Sequence, residues 1–331
     1  MSFTIDTRHV PNSIGPDCPL YVLASGPHQA TIWPSLGFNC LDWQTQVNGQ
    51  TVRLLYCDPQ LFDNGRPTRS GIPILFPFPN RIRAGRFHWD GKDYQLPLND
   101  STQQNAIHGF ACRKPWRVVE QGTDATSAWL TGEFQGSVDA PETADLWPTD
   151  YHIRITYRLS ERKLRIEAVV SNSDKKPLPF GLGYHPYFAP RPADSHSVDL
   201  TMQAPPRCYW QLQDSLPTGT KLPLDASRDL THPRKANDLN LDDVYGDLPA
   251  DGSPLVWRGS VRSPQAELRL NCSPDFRELV IFTPPHRKAV CLEPYTCITD
   301  AINLQQRGID AGWRVVAPGG SWSGIVEMIA E

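Results

Sequence analysis

The stretch from Tyr151 to Val170 constrains the fold more than any other part of the chain. Tyr151, Ile153, Ile155, Tyr157 and Leu159 alternate with His152, Arg154, Thr156 and Arg158, a period of two that sets the apolar residues on one face of a strand. The polar tetrad Ser160–Lys163 suits a turn, and the alternation resumes with Leu164, Ile166, Ala168 and Val170 against Arg165 and Glu167. Together these predict a β-hairpin with one buried side. Beyond a loop at Ser171–Pro179 the chain runs into Gly181-Leu-Gly-Tyr-His-Pro-Tyr-Phe188. There a single imidazole, His185, sits among two tyrosines, a phenylalanine and a proline.

Short apolar runs broken by turn residues recur along the chain. YVLAS, ATIWPS and VRLLY, between Tyr21 and Tyr56, read as strands, with Asn48-Gly49 as a hairpin turn. GRFHWDGKDYQLP predicts a second hairpin turning at Asp90-Gly91, and further strands are expected up to Phe134. The acidic, proline-bearing segment Asp139–Thr149 is expected as a surface connection. Ser197–Met202 and Glu267–Asn271 alternate as strands, whereas Arg207–Pro264, rich in Asp, Pro and Gly, is expected as long loops over a sheet. Leu279–Thr283, Val290–Glu293, Trp313–Ala317 and Trp322–Met328 complete the strand set, with room for one or two helical turns at 299–309. No internal repeat is present. The expected architecture is all-β: a large antiparallel β-sandwich with few short helices, as one domain over residues 1–331.

Composition narrows the function classes. Thirty-two prolines and 23 glycines in 331 residues fit a loop-rich β fold. A net charge of −4 gives no basic surface for nucleic acid. MSFTIDTRHVPNS has neither a basic start nor an apolar run, and no apolar stretch reaches the roughly eighteen residues of a membrane span. The expected compartment is the cytoplasm. The eight cysteines (18, 40, 57, 112, 208, 272, 291 and 297) contain no C-x-x-C pair. They are expected as small buried hydrophobes and not as zinc ligands or a disulfide framework.

Six side chains stand out for their chemistry, each with a bland reading beside the functional one. His185 and His108, the latter in Ala-Ile-His-Gly-Phe, are either hydrogen-bonded structural histidines or ligand-facing imidazoles; Gly109 permits a close approach next to His108. Arg81 ends an apolar, proline-fixed run and is either a surface charge or a fork of donors for ligand hydroxyls. Glu293 closes an apolar strand before Pro294, which is expected to stop the ladder. It reads either as a rim carboxylate paired to a lysine or as a reactive group carried into a cleft. Asp242 and Asp243 lie in Leu-Asp-Asp-Val-Tyr, as surface charge or as one pocket ligand. Arg81, Arg83 and Arg86 could form a phosphate patch, although alternation predicts that they do not share one face.

Taken in order, GIPILFPFPNRI, GRFHWDGKDYQLP, NAIHGF, GLGYHPYF, LDDVY and CLEPYT resemble the aldose 1-epimerase (mutarotase) family. The resemblance covers Gly71 to Thr296 and implies a galactose-mutarotase-like β-supersandwich. It implies that Glu293 is a general base and His185 a general acid, with Arg81, His108 and Asp242 holding substrate. This chain has Asp243 where many relatives carry histidine. Its HGFA resembles the hexose-6-phosphate branch, while NRI resembles the free-aldose branch.

The implied reaction is anomerisation of an aldose. One proton leaves the C1 hydroxyl and one reaches the ring oxygen, the C1–O5 bond opens, C1–C2 rotates, and the ring recloses on the other carbonyl face. A carboxylate and an imidazolium suit those transfers. With no redox change and no high-energy group, the chemistry calls for neither metal nor other cofactor, only a small-molecule sugar. The acid and base are expected on opposite sides of a hexose-sized hollow, with Trp89, Tyr184, Tyr187 and Phe188 as candidate stacking faces. A glycoside hydrolase using Glu293 and Asp242 and a non-catalytic sugar-binding sandwich are the competing classes.

Overall fold

The computed structural model describes residues 2–11, 19–195 and 199–331. Two large antiparallel sheets pack face to face. The first has thirteen strands, and its main path runs Thr4–Arg8, Leu20–Ser25, His28–Trp33, Asn39–Val47, Gln50–Leu55, Tyr187–Pro192, Val290–Tyr295, Glu278–Phe282, Asp242–Gly246, Cys208–Gln213 and Leu216–Pro223. The short pieces Gly183–Tyr184 and Ile74–Leu75 attach beside Val290–Tyr295. The second has nine strands and is centred on the predicted hairpin, His152–Ser160 with Lys163–Ser171, flanked by Ala128–Gln135 and Ser321–Ala330. Ile153, Ile155, Tyr157, Leu159, Leu164, Ile166, Ala168 and Val170 are all buried, as the alternation requires. Phe38, reached from the first sheet, lies against Tyr157 and Trp116 of the other layer. A Cβ at Gly132 would meet that phenylalanine ring at 2.8 Å, so the layers close only over a glycine.

The expected all-β sandwich with few short helices is what forms; Ala301–Gln306 is the longest α-helix among the described residues. Asn48-Gly49 and Asp90-Gly91 turn their hairpins with both residues at positive φ. Several segments differ from expectation. Asn39–Val47 is a further strand, in which buried Leu41, Trp43, Thr45 and Val47 alternate with the more accessible Asp42, Gln44 and Gln46. Arg207–Pro264 is not a loop region: it contributes Cys208–Gln213, Leu216–Pro223, Asp242–Gly246 and Val256–Arg262. Asp139–Thr149 turns inward at Trp147, which stacks on Phe78 and touches Phe87. The strand expected over Ser197–Met202 is Thr201–Gln203, and residues 196–198 lie outside the described set. Pro294 does not stop its ladder. Glu293 pairs with Val280 and Tyr295 with Glu278, and that register carries the strand past the missing N–H. The seven described cysteines are free, all but Cys57 buried; Cys18 lies outside the described residues.

Val290–Tyr295 places the site. All six residues are buried, and alternate ones face opposite ways. Val290 and Leu292 join the core between the sheets, while Tyr295 joins a smaller apolar cluster with Leu75, Val244, Val280 and Ala301 on the outer face. The segment 71–113 and the helix Ala301–Gln306 cover that outer face and leave a pocket over Glu293.

Candidate active site

The pocket has a volume of about 290 Å³, and its walls include Arg81, His108, His185, Asp242 and Glu293. Fold topology thus gathers these five candidate side chains from five separate segments. Such a size and polar lining suit a small hydroxylated ligand.

Glu293 is 1% exposed and accepts a hydrogen bond of 2.6 Å from the Tyr295 hydroxyl at Oε2. Its other oxygen, Oε1, lies 3.4 Å from His185 Nε2. It is therefore neither a rim carboxylate nor a lysine partner. Burial pushes its carboxyl well above the usual range; the Tyr295 hydrogen bond opposes this, Asp242 adds to it and Arg81 opposes it. His185 is 7% exposed, and its ring stacks on Tyr187 with centroids 4.7 Å apart at 6°. Burial holds its imidazole far below the ordinary value. Both shifts disfavour charge and so favour a protonated carboxyl beside a neutral imidazole. Moving that one proton across 3.4 Å gives the carboxylate and imidazolium. The two groups lie side by side and not on opposite sides of a hollow. That placement suits two oxygens bonded to the same carbon better than a flanking arrangement would.

His108 follows the short strand Ala106–Ile107 and takes φ of +67°, which turns its side chain toward His185, with ring centroids 5.7 Å apart. Its backbone N–H donates to the Asn80 carbonyl. Its Nδ1 is buried with no hydrogen-bond partner among the described residues, unlike a satisfied structural histidine. Burial, then His185, Arg113 and Arg81, hold it well below the ordinary imidazole value. The close approach that Gly109 permits is to protein and not to ligand: a Cβ there would lie 2.3 Å from the Phe76 carbonyl oxygen.

Arg81 pairs across from Ile107, and its Nε lies 3.4 Å from Asp100 Oδ2. Burial pushes Asp100 up, but hydrogen bonds from Asn105, Gln104 and Thr102 outweigh it and hold the carboxyl down at about 2. That fixed anion aims the Arg81 fork into the pocket. Arg83 turns to Asp300 and Arg86 to Gln95, so the three arginines form no common patch.

Strand alternation separates the two aspartates. Asp242, at the open rim, lines the pocket; the surrounding protein raises its carboxyl, Arg81 opposes and Asp243 adds. Asp243 faces the other way and receives Arg228 Nε at 2.9 Å. Of the four aromatic candidates, Tyr187 lines the pocket, and its hydroxyl donates to the Thr68 carbonyl. Tyr184 and Phe188 are buried in the main core, and Trp89 packs on its edge. Sequence reasoning passed over Tyr295 and Asp100. The first was visible only as part of CLEPYT, and the second as Asp-Ser-Thr heading a turn.

Fold and pocket together define a galactose-mutarotase-like β-sandwich. The solved structure of a galactose mutarotase-like protein from Clostridium acetobutylicum superposes with a TM-score of 0.84 at 22% identity, covering 100% of this chain and 99% of that one. Galactose 1-epimerase from Lactobacillus acidophilus NCFM gives 0.78 at 16%, covering 100% and 99%. These likenesses are of fold. In sequence, the Escherichia coli K12 protein YihR, itself uncharacterized, is 26% identical over 242 residues, 72% of each chain. Galactose mutarotase from Rattus norvegicus is 28% identical over 155 residues, 45% of this chain and 41% of that protein. The aldose 1-epimerase family model matches residues 21–328, and the chain belongs to that family.

Proposed function

We infer that the protein is an aldose 1-epimerase that interconverts the α and β anomers of a hexose by general acid–base ring opening and reclosure. The carrying observation is the 3.4 Å contact between His185 and Glu293 on the wall of a small polar pocket. In the carboxylate–imidazolium form, Glu293 takes the C1 hydroxyl proton while His185 protonates the ring oxygen, and the C1–O5 bond breaks. After rotation about C1–C2 the transfers run in reverse, each group returning the proton it exchanged. Each transfer contributes about 10²–10⁴-fold. Arg81, held by Asp100, favours the carboxylate and binds hydroxyls together with His108 and Asp242; Tyr187 offers a ring face. Nothing in this chemistry requires a cofactor. The reactive carboxylate contacts an imidazole and not a second carboxylate, which favours anomerisation over glycoside hydrolysis.

A hexose 6-phosphate is the second reading. Arg113 lines the pocket beside His108 and has no ion-pair partner among the described residues, so a cation stands free for an anionic substituent. Polarimetry of freshly dissolved α-glucose, α-galactose and α-glucose 6-phosphate tests both readings. Relaxation faster than in buffer supports the assignment, and the sugar accelerated most identifies the branch. If every free and phosphorylated aldose relaxed at the buffer rate, a non-catalytic sugar-binding sandwich would replace the enzyme.

A further inference from the structure

Cys291 precedes Glu293 by two residues, so strand alternation turns its thiol to the same side of the sheet as the reactive carboxylate. Tyr187, on which His185 stacks, is its partner across the ladder. One ligand atom each from His185, Cys291 and Glu293 lies within 4.8 Å of the other two. All three residues are buried, and His185 still has an Nδ1 without a hydrogen-bond partner among the described residues. Cys291 is absent from the pocket lining, so it meets no sugar there.

We propose that His185, Cys291 and Glu293 form an inhibitory site for a soft divalent cation, best fitted by Zn²⁺, which closes the pocket by occupying the acid–base pair. One nitrogen, one sulfur and one carboxylate oxygen make a tripod that zinc accepts in tetrahedral geometry at about 2.0–2.3 Å, with the fourth position left toward the pocket. Small side-chain shifts bring atoms already within 4.8 Å onto such an ion. Calcium and magnesium need six or more ligands, nearly all oxygen, and are poorly served here. Coordination forms one bond each from zinc to sulfur, imidazole nitrogen and carboxylate oxygen, and releases to solvent both the thiol proton and the single proton held by the His185–Glu293 pair; no oxidant or reductant takes part. Cys291 thereby gains a role that sugar turnover does not require of it.

Cobalt(II) reports the site directly. Titrated into the chelator-treated full chain, it is expected to produce tetrahedral visible bands and a near-ultraviolet thiolate-to-cobalt absorption, with the thiolate band lost in Cys291→Ala. In the turnover assay Zn²⁺ is expected to slow sugar relaxation, with EDTA restoring it. Cys291→Ala keeps the basal rate and needs at least about tenfold more zinc for equal inhibition. Should Cys291→Ala fail to fold, Cys291→Ser carries both measurements. A missing thiolate band in the wild type, an undiminished band in the cysteine variant, or equal zinc inhibition of both proteins overturns the site. Only the kinetic arm rests on the acid–base reading. A protein that turned over no sugar yet gave a Cys291-dependent cobalt band would retain the metal site and lose the proposed reaction.

Discussion

His185 Nε2 stands 3.4 Å from Glu293 Oε1, one side chain delivered by the chain after the central hairpin and the other by a strand near the C-terminal end. The anomeric hydroxyl and the ring oxygen share one carbon, so a pair this close can serve both without either residue moving far. Burial provides the second ingredient. It disfavours charge on each group, and the pair keeps one proton to exchange.

That arrangement sets a pH dependence. The His185 imidazole is held below its ordinary 6.5, so it stays a free base until the pH falls well under that value. The Glu293 carboxyl is held above its ordinary 4.5, so it keeps its proton until the pH rises well over that value. The acid limb of buffer-corrected kcat/KM is therefore expected to lie well below pH 6.5. An acid limb centred on an ordinary imidazole would contradict the buried pair.

The two adjacent aspartates are expected to separate into different phenotypes. Asp242→Asn removes a charged wall from the pocket and should raise KM about tenfold with little change in stability. Asp243→Asn breaks the 2.9 Å bond from Arg228 and should cost about 1 kcal/mol of stability, a modest figure because Arg228 is partly in solvent, while KM is unchanged. Steady-state kinetics and urea unfolding of both variants decide it. The reverse pattern would move the ligand to Asp243.

Glu278 gives the fold its own pH sensitivity. Burial pushes its carboxyl from 4.5 up to about 7; the Trp210 indole N–H, which donates to it, and Arg277 at 3.5 Å oppose the shift. A raised value means that the folded state holds the proton more tightly than the unfolded chain. Stability is then fully present below pH 4.5 and is lost as the pH rises through about 7. The loss is about 3 kcal/mol at roughly 1.4 kcal/mol per unit. Glu278→Gln should flatten that decline and be the more stable protein at pH 8. An unchanged slope in urea unfolding between pH 5 and 8 would show that Glu278 does not carry it.

Much of this was legible in the sequence, for reasons that can be located. The hairpin at 152–171 is half buried, so its alternation is written in residue type. Leu41–Val47 also alternates, but its buried set includes the polar Thr45, and Asn39 at the strand's start is spent on Ser70 and Ile72, so the apolar signal is thin. Cys208–Gln213 and Leu216–Pro223 lie at one end of the large sheet, where exposed polar and proline residues are tolerated and imitate a loop. Arg81, His108, His185, Asp242 and Glu293 each stood in a distinctive motif, and the fold brought them together. Asp100 acts on Arg81, a partner nineteen residues away that only the fold brings to it, whereas Tyr295 acts on Glu293 two residues before it in one strand, where alternation sets both on the same side.

The proposed anomerisation requires His185 and Glu293 to act on one sugar. The direct test is polarimetric relaxation of the accelerated sugar with Glu293→Gln and His185→Asn, each checked for native circular dichroism and melting. Each variant is expected to lose at least about 10²-fold of the enzymatic rate, and the double variant little more than the worse single one, as for residues working as a unit. Folded single variants that relaxed the sugar at the wild-type rate would contradict it.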